Sequence, residues 1–584
     1  MNTINSIKDL FKKKYFTIVI LLIAILGSFL RLFQIDKQVI GDDEWHGIFW
    51  ATKASFSDIL THFHGSDNCI PLTAYYKLLL ETIGLSEFGL HSLQILSGIL
   101  SLIIFPFIIK SIFQKRISIT FSFLLAISPF LIYYSRYARP YSIVVFLSFI
   151  SIFSFYFWIK KNKKCYIIIY LLTATIAPYF HLFSLIPVIT PLLYTATFHA
   201  LEKRFFKQSD KTVYPKLIHI FYVGILLLIG LMVVFLPTIN SLGAIWQKVS
   251  GYEREINSNT IIGAVNLFNG VESPLISIVF TSLFIYGLYL SYVKNKFLFG
   301  YLFSILSLQL LSLLILRPDS VQESIVFGRY SICCLPLWVL FISVGLDDTS
   351  LRLGNLISKK GNKIHGISNI FLIGCFLAIF LKGPIVTIYK NTNNFTNHND
   401  FQNNYLYSWT KTDLNSLENP IPKFYFYLKE TKDSTIIETP FITSWIGNNY
   451  HIYQRLHAKN VIIGHTGNSF LLYSYYWQSV PIMHPNIRLN NFVNIEDFEE
   501  IAKSNSSYIV VHKDLLNEFF YMRKNFPDND FKQIAESIEK NREVYDTSYG
   551  LPAKTEAEQS IKFLKQKFGD PFYEDTLIVV FKIK

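Results

Sequence analysis

Charged side chains are scarce in this 584-residue chain, at 16% of the total against roughly a quarter in an ordinary soluble protein. Apolar residues reach 51% and aromatics 16%, which excludes a wholly water-soluble or disordered protein. Cysteine is sparse as well. Cys69, Cys165, Cys333, Cys334 and Cys375 form no even, spaced set and no CxxC pair, so neither a disulfide framework nor a zinc site is indicated. No internal repeat of fixed period is present. Acids number 41 against 54 Lys plus Arg, a formal charge of +13. The basic residues sit in short clusters between apolar runs, where a membrane protein keeps its cytoplasmic charge, so the excess reads as topology rather than as a nucleic-acid surface.

What is present is a succession of long apolar runs. About eleven can cross a hydrocarbon core: residues 15–33, 92–110, 117–134, 141–159, 165–180, 182–199, 217–238, 273–293, 297–316, 326–346 and 367–386. The first follows Lys12, Lys13 and Lys14, is too long for a signal-peptide core, and reads as a retained anchor. With the N-terminus in the cytoplasm, every second loop is basic, as in Lys110/Lys115/Arg116, Lys160/Lys161/Lys163/Lys164 and Lys294/Lys296, in keeping with the positive-inside rule. The expected architecture is an α-helical polytopic membrane domain over 1–386, with a long first extracytoplasmic loop at 34–91. An extracytoplasmic soluble α/β domain follows over 387–584, where long apolar runs vanish and short β-rich runs alternate with helix-like stretches. The expected location is the inner, cytoplasmic membrane.

The unusual polar residues all fall on the outward side. The first loop opens with Gly41-Asp42-Asp43-Glu44-Trp45-His46, three acids that suit a general base, a metal cluster or a hydrated helix start. Further on come His62, His64 and Asp67, whose spacing fits no established ligand set. An amphipathic segment then begins at Pro71, with Leu72, Tyr75, Leu79 and Ile83 on one face. The third and fourth spans are joined by Ser135-Arg136-Tyr137-Ala138-Arg139-Pro140-Tyr141. Arginine is suited to bidentate phosphate capture, and the flanking tyrosines can pack against isoprenoid or sugar; the alternative is a pair of snorkelling anchors. Arg329, before Tyr330 at the start of the tenth span, is costly there unless paired or hydrated. His181 occupies another tight outer turn. In the soluble tail, Tyr450, His451, Tyr453 and Arg455 resemble in type a sugar-binding edge or a plain surface patch.

Taken in order, these residues resemble the polytopic glycosyltransferases of the GT-C fold, specifically glycosyltransferase family 39 and the protein O-mannosyltransferase and aminoarabinose-transferase-like group. The resemblance covers roughly residues 15–345. It rests on Gly41 with Asp42, Asp43 and Glu44; on Asp67, Pro71, Leu72, Tyr75 and Tyr76; on Ser128 to Tyr141; and on Arg329 with Tyr330. Ile70-Pro71 stands where the family commonly has Pro-Pro, and His91 where it has Arg, which weakens any transfer of acceptor identity. The resemblance implies an inverting transfer of one sugar from a polyprenyl-phosphate donor to an envelope acceptor (lipid A, glycan, lipid or protein) on the outer face. Asp43, beside Asp42 and Glu44, is then the base. Arg139, Arg136 and Arg329 hold the donor phosphate, and Asp67, Tyr75, Tyr141, His181 and Tyr330 line the substrate cavity. No cofactor is implied; oligosaccharyltransferases of the wider fold use a divalent ion on acidic loop residues, which keeps one open at Asp42, Asp43 and Glu44. The competing readings are an oligosaccharide transferase or polymerase of the same fold, and a lipid-linked sugar flippase or transporter.

Overall fold

A computed structural model describes residues 2–33, 44–63, 69–85, 87–205, 215–241, 255–271, 273–318, 320–357, 421–432, 435–440, 459–466, 469–473, 498–503, 505–515 and 554–583, with isolated positions elsewhere, among them Tyr453, His457, Val493 and Glu518. It divides into two compact units. One comprises Met1–Phe33, Leu60–Pro71 and His91–Tyr389, the other Gln34–Ile59, Leu72–Leu90 and Lys390–Lys584.

The helices, in chain order, are α1 (Asn2–Leu32), α2 (Glu44–Lys53), α3 (Phe56–Thr61), α4 (Ile70–Thr82), α5 (Glu87–Lys110), α6 (Lys115–Ile127), α7 (Pro129–Ser135), α8 (Tyr141–Lys161), α9 (Lys164–Phe180), α10 (Leu185–Phe205), α11 (Leu217–Phe235), α12 (Ser258–Asn269), α13 (Pro274–Lys294), α14 (Lys296–Leu316), α15 (Ser324–Tyr330) and α16 (Leu335–Ile357). Among the described residues eight helices are long and apolar enough to cross a membrane, or nine with one bent pair, and α9 is a shorter apolar helix. Most of the expected eleventh run, 367–386, lies outside the described residues.

The bent pair corrects the expectation of a continuous third span. α6 and α7 meet at 58°, and the cause is Pro129, which lacks an N–H and so leaves the carbonyl of Leu125, four residues earlier, without its helical donor. Arg31 supplies donors instead. Its guanidinium is buried and bonds the carbonyls of Leu125 (3.3 Å), Ala126 (3.3 Å) and Gly27 (2.9 Å) and the hydroxyl of Ser135 (3.2 Å). Gly98 of α5 makes room: a Cβ there would lie 3.1 Å from Arg31 Nε and 2.9 Å from Ser135 Cβ.

A second close approach fixes α13 against α16. A Cβ on Gly287 would overlap the backbone carbonyl of Phe341, and one on Gly345 that of Leu283. Beside this crossing Trp338 stacks on Phe284 with centroids 3.7 Å apart, and its indole N–H bonds Asn269 at the end of α12 (3.0 Å). Because each glycine faces rigid backbone rather than a movable side chain, Gly345→Leu is expected to cost about 3 kcal/mol or more, at the upper end of overpacking effects. The check is thermal unfolding of the purified protein; an unchanged midpoint would show that the helices separate without penalty.

In the other unit, α4 confirms the helix expected after Pro71 but turns a different face inward. Leu72, Tyr76 and Leu80 are buried while Ile83 is exposed, a spacing of four rather than the 72, 75, 79, 83 stripe. Gly47 of α2 packs close to Tyr76, where a Cβ would lie 3.1 Å from the ring. The C-terminal part forms a six-stranded sheet of order β3-β2-β1-β4-β6-β5, from β1 (Thr435–Thr439), β2 (Asn460–Thr466), β3 (Ser469–Tyr473), β4 (Tyr508–His512), β5 (Tyr573–Glu574) and β6 (Ile578–Lys582). β1 runs parallel to β2 and β4, and β6 antiparallel to β4. Every residue of β4 is buried, as expected for a central strand covered on both faces. One face, with Ile437, Ile509, Val511 and Val579, packs on α18 (Phe498–Lys503) and α19 (Lys554–Phe568) through Ile501 and Leu564. The opposite face carries Glu438 and His512, beside Tyr425 of α17 (Lys423–Glu430).

Candidate functional site

The turns at 136–140, at His181 and at the end of α15 lie at one end of the helical unit and converge there. Arg136 holds the first of them in place. Its guanidinium donates to the carbonyls of Phe33 (2.7 Å) and Leu30 (3.3 Å), groups at the C-terminus of α1 that lack helical donors, and the residue is 6% exposed. Arg136 thereby caps the first span and fixes the loop that presents Arg139, whose backbone N–H bonds Tyr137 O at 2.7 Å. Tyr141 opens α8 and packs edge-on to Tyr134, centroids 4.7 Å apart, so the ring is fixed from behind by a buried tyrosine row that includes Tyr133 and Tyr137.

His181 ends α9 in extended conformation, its N–H bonded to Ala177 O (3.1 Å) and its carbonyl accepting from both N–H and hydroxyl of Ser184. Its ring stands 5.4 Å from Tyr141 and 5.6 Å from Tyr330. Tyr330 in turn stacks on Phe183 at 5.0 Å. The Arg329 guanidinium lies 5.5 Å from the Tyr330 ring and 5.9 Å from the Tyr141 ring, within cation–π range. Burial, followed by the positive charges of Arg139 and Arg329, pushes the His181 imidazole down to about 3, which keeps the ring neutral at ordinary pH rather than a third cation.

Arg139, Tyr141, His181, Arg329 and Tyr330, drawn from three separate turns, are thus one cluster: two guanidiniums and a neutral imidazole framed by phenol rings. Such a set suits an anionic group attached to an apolar or sugar moiety. Sequence reasoning missed Gln309. It is buried in the apolar helix α14 and its amide donates to Tyr330 O (2.8 Å), tying α14 to the turn that bears Arg329. The signal was there, since an amide inside a membrane helix is expensive unless it holds something. Arg31 is a second such residue.

The acidic side of the expected site is only partly described. Glu44 is fully buried at the first position of α2, where the helix N-terminus favours a carboxylate. Asp42, Asp43, His64 and Asp67 lie outside the described residues. Tyr75 lies on α4, its ring 6.1 Å from that of Tyr76. His62 is exposed and shares a 2.9 Å hydrogen bond with Thr61. Among the described residues no group of three or more His, Cys, Asp or Glu could hold a metal ion. Of the suggested sugar-binding edge in the tail, Tyr453 is fully buried, its hydroxyl bonded to Glu518; it belongs to the interior, while Tyr450, His451 and Arg455 lie outside the described residues.

No family model matches the chain, and no curated protein is similar to it in sequence. Among solved structures it is similar to the oligosaccharyltransferase of Archaeoglobus fulgidus in the apo form, with TM-score 0.43 and 12% identity over 88% of this chain and 71% of that one. The same archaeal AglB, in complex with an inhibitory peptide and a dolichol-phosphate, gives TM-score 0.42 and 12% identity over 88% and 71%. ArnT from Cupriavidus metallidurans bound to undecaprenyl phosphate gives TM-score 0.44 and 11% identity over 76% and 85%.

Proposed function

We propose that the chain is an integral-membrane glycosyltransferase that moves a sugar from a polyprenyl-phosphate donor to an envelope acceptor. The observation that carries this reading is the cluster of Arg139, His181 and Arg329 with Tyr141 and Tyr330. Two fixed guanidiniums beside aromatic walls match a donor whose phosphate joins a sugar to an isoprenoid tail. In the reaction the acceptor oxygen bonds the anomeric carbon while the bond from that carbon to the phosphate oxygen breaks, with inversion. The acceptor proton passes to Asp43, and the electron pair of the broken bond stays on the polyprenyl phosphate. Charge grows on that phosphate in an oxocarbenium-like transition state, and in this reading Arg139 and Arg329 stabilise it without a general acid. Arg136, bound to the end of α1, positions the loop. An anion between the two arginines also offsets their charges, which add to burial in keeping His181 neutral, so donor binding raises the affinity of that ring for a proton while burial still opposes it.

The test is transfer of labelled sugar from polyprenyl-phosphate donors to an extracted envelope acceptor pool, with wild type and Asp43→Asn side by side and with and without chelator. Asp43→Asn is expected to reduce transfer by about 10²–10⁴-fold, the range for loss of a general base, and chelator to leave the wild-type rate unchanged. Loss of transfer with chelator would favour the metal-using oligosaccharide transferases. Donor binding with no transfer, indifferent to Asp43→Asn, would replace the enzyme by a carrier.

A further inference from the structure

At the end of the bundle remote from the arginine cluster, the structure has a recess of about 390 Å³ between the ends of α5, α8 and α13 and the start of α14. The separation follows from α8 itself, whose first residue is Tyr141 and whose last are Lys160 and Lys161; twenty residues of helix rise about 30 Å. Lys160, Lys161, Lys294, Ser111, Ser291 and Asn295 supply the polar lining. The wall between them is apolar, with Tyr156, Phe157 and Leu298.

Three features distinguish this recess from a plain set of surface lysines. The turns around it carry Lys110, Lys115 and Arg116, then Lys160, Lys161, Lys163 and Lys164, then Lys294 and Lys296, without one carboxylate in 110–116, 160–164 or 294–296. On α16, Asp347 pairs with Arg116 at 2.8 Å, and Asp348 accepts from Arg352 at 2.6 Å and Tyr286 at 2.7 Å, while both also lie within Coulombic reach of Lys294. Finally, Ser291 is 6% exposed and its hydroxyl has no hydrogen-bond partner among the described residues. The helical serines Ser282, Ser312 and Ser343 bond a carbonyl of the preceding turn; Ser291, like Ser122 and Ser151, does not, and of these three it is Ser291 that lines the recess. Lysines complementing helix C-termini and following the positive-inside rule explain charge at this level. They do not explain a concave site with an unused buried hydroxyl in its wall.

We propose that this recess is a second anion site, which takes the phosphate ester of a membrane lipid headgroup, with the lysines on the phosphate, Ser291 donating to one of its oxygens, and the Tyr156, Phe157 and Leu298 wall against the glycerol and upper acyl chain. Its size is that of a small-molecule site, larger than a bare phosphate requires, and basic recesses between membrane helices suit anionic headgroups. The site is independent of the transfer reaction.

The experiment is native mass spectrometry of the delipidated full-length protein titrated with phosphatidylglycerol, with phosphatidylcholine and with inorganic phosphate, comparing wild type, Lys160→Gln/Lys161→Gln/Lys294→Gln, and the same three positions changed to Arg. The expected result is one retained phosphatidylglycerol whose affinity falls at least about tenfold in the Gln variant, since each lysine near an anionic headgroup contributes appreciably. The Arg variant should retain it, and phosphatidylcholine should bind weakly to all three. Ser291→Val is expected to weaken the same binding with the charges intact. Inorganic phosphate that binds with the same lysine dependence and displaces the lipid would support the anion site with free phosphate as its source. Equal phosphatidylglycerol retention by wild type and Gln variant, with both monodisperse and no phosphate bound, would overturn the proposal.

Discussion

Arg329→Ala is expected to leave the helical bundle folded and to reduce sugar transfer by about 10²–10³-fold, the effect of removing one preorganised donor from a developing oxyanion. The expectation follows from where the guanidinium lies. Arg329 sits over the Tyr330 and Tyr141 rings at the end of the short helix α15, which Gln309 fastens through Tyr330 O, so its position is set by backbone and not by a flexible loop. Arg329→Lys keeps a charge but loses the planar fork and much of the stacking, and an intermediate loss is expected. Arg139→Ala should lower transfer in the same way. On the proposed reading the two act on one phosphate, so the double variant is expected to lose less than the product of the single effects. Steady-state transfer with purified variants, alongside thermal unfolding, is the measurement. Wild-type transfer by Arg329→Ala with full donor affinity would remove the phosphate role from this cluster.

The second large effect concerns the C-terminal sheet. His512→Leu is expected to destabilise that unit by about 3–5 kcal/mol, the usual consequence of removing one partner from a buried ionic set. His512 bridges two carboxylates on the covered face of the sheet, with Nε2 2.6 Å from Glu438 and Nδ1 2.7 Å from Glu518. Tyr425 donates to Glu438 at 3.1 Å, and Tyr453 to Glu518. Burial alone would lower the imidazole's proton affinity, but the charges of Glu518 and Glu438 overcome it and push the ring up to about 10. The folded unit therefore binds a proton that the unfolded chain releases near 6.5. The resulting stability is fully present below about pH 6.5 and is lost as the pH rises from there through about 10. Hydrogen exchange across Thr435–Thr439 and Tyr508–His512 in the full chain reports it. Faster exchange in His512→Leu, with an alkaline loss of protection in the wild type that the variant lacks, is the expected pattern. Equal protection in both proteins from pH 6 to 10 would show that the three groups carry no net ionic stabilisation.

Much of this architecture was legible because membrane spans are written in composition. A window of some twenty apolar residues has one stable solution in a bilayer, so the runs at 141–159, 273–293 and 297–316 returned as α8, α13 and α14 within a few residues. The short β-rich runs expected in the C-terminal part likewise return as strands, among them β1, β2, β4 and β6. The strand Ser469–Tyr473 escaped although the sequence offers a hairpin signal, the pair Gly467-Asn468 between it and β2. Arg139, Arg329, His181, Tyr141 and Tyr330 were legible as anomalies, polar or ionisable groups at the ends of apolar helices, where each is costly without a purpose.

The sequence by itself determined a multispanning helical membrane protein with an α/β appendage and marked one end of its helices by unusual polar residues, because hydrophobic length and charge placement are local properties that no packing alters. Only the tertiary structure decided which of those residues meet. Pro129 strips Leu125 O of its donor, Arg31 reaches it from another span, Arg136 turns back onto the end of α1, and Arg139 and Arg329 are both brought within Coulombic reach of His181. Those outcomes depend on which backbone groups lack partners and which helices approach within hydrogen-bond distance, which are relations between segments far apart in the chain and leave no trace in either segment alone.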